Sequence, residues 1–254
     1  MPSAIKLNHE LADKGLVSIL VEVQGSDEAN LRAFMAQRFP DCDAFVCTSA
    51  FVPIPASNGI PNGAVVGVDG KLLWSGNPAS SAGKIEELVQ AELVKVKKGW
   101  GDTAEARKFR ATLYGKGDFA GAAALLAALP EGAERTTLQA ELDKRYGLAK
   151  KQVEALRERG AVVEAQAAAK DLLKAVGSSQ WTAEVQPIVA EFDSEPVKAE
   201  ISLQRKLDKI VKQVREKKAD AAPKALRALL KGGAEGKVAH RAELLLQALE
   251  TTPK

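Results

Sequence analysis

Cys42 and Cys47 are the residues of this chain with the most open chemistry, and they are its two cysteines. Their spacing is Cys-x4-Cys. A dithiol that exchanges rapidly at a helix start needs both sulfurs within one turn, with one thiolate lowered in pKa. In an extended segment an odd separation puts the two side chains on opposite faces, so a bridge between them needs an irregular loop. Three readings stand side by side: ordinary partly buried thiols, a structural disulfide, or a redox pair. Two cysteines are too few for a disulfide scaffold and wrongly spaced for a structural zinc site. His9 and His240 lie far apart, each within a helical pattern, and neither has a partner at ligand or triad spacing. These residues imply no metal, no cofactor and no catalytic constellation.

The elements around the cysteines read as a short α/β series. Ala4, Leu7 and Leu11 share one face of a helix over 3–14, which Gly15 stops. The run from Leu16 to Val23 is almost wholly aliphatic, the pattern of a strand buried on both faces. Ser26 caps a second helix, with Leu31, Phe34, Met35 and Phe39 on its apolar face and Pro40 as its stop. Residues 41–58 are looser, with a short strand around Phe45 and Val46. Two apolar runs, 64–68 and 71–75, then flank Asp69-Gly70, a pair suited to a two-residue type I′ hairpin turn. Ile85, Leu88, Val89, Leu93 and Val96 mark a helix that covers this hairpin and ends near Gly99. Trp74 and Trp100 read as packing residues.

From Asp102 onward the patterns are helical, broken at Gly115-Lys116-Gly117, Pro130-Glu131-Gly132, Gly160, Gly177 and Gly232-Gly233. Trp181 shares a face with Val185, Ile188 and Phe192 as core, with Pro187 kinking or splitting that helix. The stretch from Gly117 to Leu126 resembles the start of the second helix of a tetratricopeptide-type pair. No fixed period follows it, so helical hairpins are the expectation rather than a repeat array. The glycines of Lys98-Gly99-Trp100-Gly101-Asp102 place a boundary between a domain at 1–98 and an all-helical region at 102–254.

Over 254 residues the chain is 27% charged and 46% apolar, with a net charge of +3, which suits a folded globular protein. Lys95, Lys97, Lys98 and the run Arg215–Lys218 read as solvated helix faces, without interleaved aromatic residues for base stacking, so no nucleic-acid partner is expected. No stretch approaches the ~20 apolar residues of a membrane span, and no basic patch followed by an apolar run opens the chain.

The segment Gly59-Ile60-Pro61-Asn62-Gly63-Ala64-Val65-Val66-Gly67-Val68-Asp69-Gly70-Lys71-Leu72-Leu73-Trp74-Ser75-Gly76 resembles the second half of a thioredoxin-like domain, in particular of the TlpA-like thiol-disulfide oxidoreductases. Residues 14–19 look like the join between that family's active-site helix and its next strand, and 26–39 like the following helix. The resemblance covers 1–98. It implies a cis peptide bond between Ile60 and Pro61, with Pro61 positioning a substrate backbone, a mixed sheet, protein substrates, and a place outside the cytoplasm for a full-length member.

The family's Trp-Cys-x-x-Cys is absent, since Met1 falls within about one turn of the place of the second cysteine. The expected fold is therefore a thioredoxin-like α/β domain that lacks its central, dithiol-bearing strand, followed by an all-α domain. In that case the strands at 16–23 and 64–68 would flank a vacancy or pair directly. The function implied is membership of the thiol-disulfide exchange family, inactive as written. The alternative is a non-catalytic module that binds other proteins through a degenerate thioredoxin fold and the C-terminal helices.

Overall fold

A computed structural model describes residues 2–27, 30–31, 34–35, 38–39, 45–47, 59–215, 221–231 and 236–250. The chain divides into two compact units, one of residues 1–28 with 41–117 and one of 29–40 with 118–254.

In the first unit, helix α1 (Pro2–Leu11) runs into a 3-10 turn and ends at Gly15, whose φ of 109° is left-handed. Strand β1 (Ile19–Val21) pairs in parallel with β2 (Phe45–Cys47), Leu20 opposite Val46. Strands β3 (Gly63–Val66) and β4 (Leu72–Gly76) form an antiparallel hairpin, Val65 opposite Trp74. Helix α2 (Ala82–Lys98) covers the hairpin: Leu11 of α1, Val65 of β3, and Val89 and Leu93 of α2 form a buried cluster, with Leu73, Trp74 and Ile85 against it. The carboxylate of Glu92, itself buried, accepts the Val68 amide at 2.9 Å and pairs with Lys95, which ties the hairpin loop to α2.

After α2 the chain turns back. Gly99 takes φ 76°, and a Cβ there would sit 1.8 Å from the carbonyl oxygen of Arg107. Helix α3 (Ala104–Arg110), capped by Thr103 through the Ala106 amide at 3.0 Å, widens into a π turn at Ala111–Gly115. Both pack on α2. Trp100 lies between Tyr114, ring centroids 4.9 Å apart, and the guanidinium of Arg110, 5.5 Å from its ring centre.

The expected thioredoxin-like α/β domain does not form. The protein is predominantly helical, and among the described residues its strands make two separate two-stranded sheets rather than one mixed sheet. The strand at 16–23 does not pair with the strand at 64–68: β1 pairs with β2, and β3 with β4. A strand run covered on both faces must bury most of its apolar side chains. Here Val17, Ile19 and Val23 are 63%, 58% and 64% exposed, and three residues of the run enter a ladder. The hairpin turn differs too. Gly67 donates its N–H to the Lys71 carbonyl and Gly70 donates to that of Gly67, with Gly70 at φ 79°. The loop is thus three residues, Val68–Gly70, closed by glycine in the left-handed region.

In the second unit, from residue 118 on, the described residues form the helices α4 (Phe119–Ala127), α5 (Ala133–Glu158), α6 (Val162–Val176), α7 (Thr182–Glu191), α8 (Glu195–Arg215), α9 (Ala222–Lys231) and α10 (Lys237–Glu250) in turn. Helix α4 packs on α5 and α6, α6 on α5, α7 and α8, and α8 on α9 and α10. That contact order, next and next-but-one, is a stack of helical hairpins. Val153, Ala165, Ala169, Phe192, Ile201, Leu207, Leu226, Val238 and Ala242 belong to one buried cluster that joins the second half of α5 to α10. Helix α7 runs through Pro187 without splitting. Among the described residues, no helix is long and apolar enough to cross a membrane.

Candidate functional site

Helix α4 has the sequence FAGAAALLA, and its small residues decide the shape of the surface beside it. Asp118 starts the helix by accepting the Gly121 amide at 2.7 Å. Phe119, Ala122 and Leu126 then face the core, while Ala120, Ala123 and Ala127 fall on a face with almost no side-chain volume. The first half of α5, with Arg135, Gln139 and Leu142, and the turn between α6 and α7, with Ser178, Ser179, Gln180 and Trp181, stand around that face. Between them is an open groove of about 420 Å³, within the size range of ligand sites.

Trp181 forms the rigid wall of the groove. Its ring stacks on Tyr146 of α5 with centroids 4.8 Å apart and planes 24° from parallel, and it meets Phe119 edge-on at 6.4 Å. The Tyr146 hydroxyl donates to Glu184 Oε2 at 2.6 Å, and Lys150 pairs with the other oxygen of that carboxylate. Burial first, and then the Glu184 carboxylate, push the Tyr146 phenol above its ordinary pKa, so it stays a proton donor. The Lys150 ammonium, and after it the Tyr146 hydroxyl, hold Glu184 below the usual carboxylate value. The turn is braced as well: the Thr182 hydroxyl donates to the carbonyls of Gly177 at 2.6 Å and Ser179 at 2.8 Å.

The rim is polar. Gln139 donates to Asp143 at 2.8 Å, and Arg135 donates to the Leu129 carbonyl at 3.2 Å without an acidic partner among the described residues. The groove therefore offers alanine methyls and the small exposed part of the Trp181 ring for apolar groups, with amide, hydroxyl and guanidinium donors around them. The residues that line it include no His, Cys, Asp or Glu.

The chain matches no family model, no curated protein and no solved structure. Nothing therefore identifies it as a member of the thiol-disulfide exchange family.

The residues singled out in the sequence lie elsewhere. Cys42 falls outside the described residues, and Cys47 ends β2 opposite Val21. The Ile60–Pro61 peptide bond is cis, with Ile60 exposed in the approach to the hairpin. His9 is in the last turn of α1, whereas His240 is exposed on α10 with Nδ1 3.6 Å from Glu243. Among the described residues, no three His, Cys, Asp or Glu side chains converge as a metal site would require. Of the residues that line the groove, the sequence marks Trp181 as core, and Ala120, Ala123 and Leu126 as part of the stretch that resembles a tetratricopeptide helix, but none of them as a binding surface. One signal was present, the alanines at 120, 123 and 127, whose spacing leaves a helix stripe too small to fill a core.

Proposed function

We propose that this protein is a non-catalytic interaction module whose helical hairpins hold an extended segment of another polypeptide in the groove beside α4. One observation carries the reading: a concave surface floored by Ala120, Ala123 and Ala127 and walled by the immobilised ring of Trp181. Small residues let a bound backbone approach the helix, and the fixed Trp181 ring, most of it buried, closes the groove with a wall that loses little entropy when a partner packs on it. The polar rim supports the same role, because an extended segment carries amide groups that need donors and acceptors once removed from water.

A peptide array probed with the full chain tests this. The expected result is selective binding of sequences with an apolar side chain between polar ones, abolished by Ala123→Trp, which fills the groove, with the helical circular dichroism unchanged. Binding that survives the filled groove, or no selectivity at all, would overturn the proposal. In parallel, the chain is expected to reduce insulin no faster than background, and turnover lost on replacing Cys47 would argue for redox chemistry instead.

A further inference from the structure

The helical unit also carries charge that the groove does not use. From Glu195 to Glu250 the chain has thirteen Lys and Arg against eight Asp and Glu, although its net charge is +3 overall, so the residues before Glu195 are net acidic. Helix α8 gathers this excess on one face. Ile201, Leu207 and Ile210 are buried against the stack, while Arg205, Lys206 and Lys209 are exposed.

None of the acids of α8 is ion-paired with these cations among the described residues. Glu195 pairs with Lys198 at 2.9 Å, Asp208 accepts from the buried Gln204 at 3.4 Å, and the Glu200 carboxylate lies against Gly236 at the start of α10. No ion pair joins Arg205, Lys206 or Lys209 to an acid among the described residues. Three mutually repelling cations on an exposed helix face are a standing cost that an anionic partner would relieve.

We infer that this face of α8 docks an acidic polypeptide segment. Arg205 and Lys209 are one helical turn apart, an axial rise of about 6 Å. Same-side residues of an extended chain repeat at about 6.6 Å. Alternate Glu or Asp residues of such a segment therefore meet successive cations, and the long lysine stems absorb the small mismatch. A nucleic acid fits less well. No Phe, Tyr or Trp follows Phe192 in the chain, so the surface has no platform for base stacking, and three cations neutralise too few phosphates for stable binding. The surface is separate from the groove, and its test does not depend on the groove being occupied.

The probe is a fluorescein-labelled peptide of alternating Glu and Thr, titrated into the full chain and followed by anisotropy, beside a Gln-Thr peptide and an oligothymidylate. The Glu-Thr peptide is expected to bind, with affinity that falls steeply as salt is added. Combining Arg205→Gln, Lys206→Gln and Lys209→Gln should weaken it by about tenfold or more, whereas Lys84→Gln and Ala123→Trp should leave it unchanged. Each single variant, expected to lose a few-fold, covers the case in which the triple variant loses helicity. Equal affinity for the Gln-Thr peptide, tighter binding of the oligothymidylate, or wild-type affinity in the variants would overturn the inference.

Discussion

Glu184 receives donors from two residues of α5, Tyr146 and Lys150, so it clamps the wall of the groove to the helix beside it. A carboxyl held below its ordinary value stabilises the fold at pH above that value, about 4.3, and the contribution is lost as pH falls through the lower folded value. Because its side chain is 49% exposed, the effect is screened. Glu184→Gln should therefore cost about 1 kcal/mol at neutral pH and progressively less as the solution is acidified below the ordinary carboxylate value, measured by urea unfolding across that range. A difference that persists in acid would assign the cost to packing. Gly99 tests the backbone in the same way: Gly99→Ala demands φ 76° of an L residue and drives its methyl into the Arg107 carbonyl, and should cost upwards of about 3 kcal/mol in thermal melts. At this scale the sequence was informative about roles but not partners. Trp181 was legible as a buried residue from its spacing with Val185 and Phe192. Its stacking on Tyr146 was not, because the contact joins residues from helices distant in sequence and no periodicity encodes such a pairing.

Helix α6 begins at Val162 without a capping side chain of its own, since Ala161 stands at the cap position. The cap comes from another helix: the fully buried Gln204 of α8 accepts the Val163 amide at 2.8 Å and donates to Glu164 at 2.6 Å. Gln204→Met should leave that amide unpaired and cost about 2–3 kcal/mol in denaturant unfolding. Gln204→Glu keeps the acceptor but sets a carboxylate against Glu164 and Asp208, so it should be the worse variant at neutral pH and recover part of the loss in acid. Equal effects at all pH values would mean that the donor side of Gln204 contributes nothing. Most helix ends were legible because Gly and Pro mark them, as at Pro130 and Gly160. The strand run at 16–23 misled because an aliphatic run states a preference for burial without supplying neighbours, and in the fold Val17, Ile19 and Val23 remain open to solvent.

The two units differ in how their structure is secured. The first rests its strands on short ladders and a small cluster, whereas in the second one large buried cluster runs from Val153 of α5 to Ala242 of α10. Hydrogen exchange followed by mass spectrometry should find the amides of β1 and β2 exchanging much faster than those of α6 and α8; equal protection would mean that the sheets are fixed by more than their ladders. Among the described residues, the main packing contacts of the second unit join helices that are next or next-but-one in the chain, and none of these joins the first hairpin to the last. Under tension applied at its ends, such an arrangement has no shear interface to break at once. It is expected to peel, one hairpin after another, and to close again hairpin by hairpin when the tension is released. A protein built this way is a soft spring.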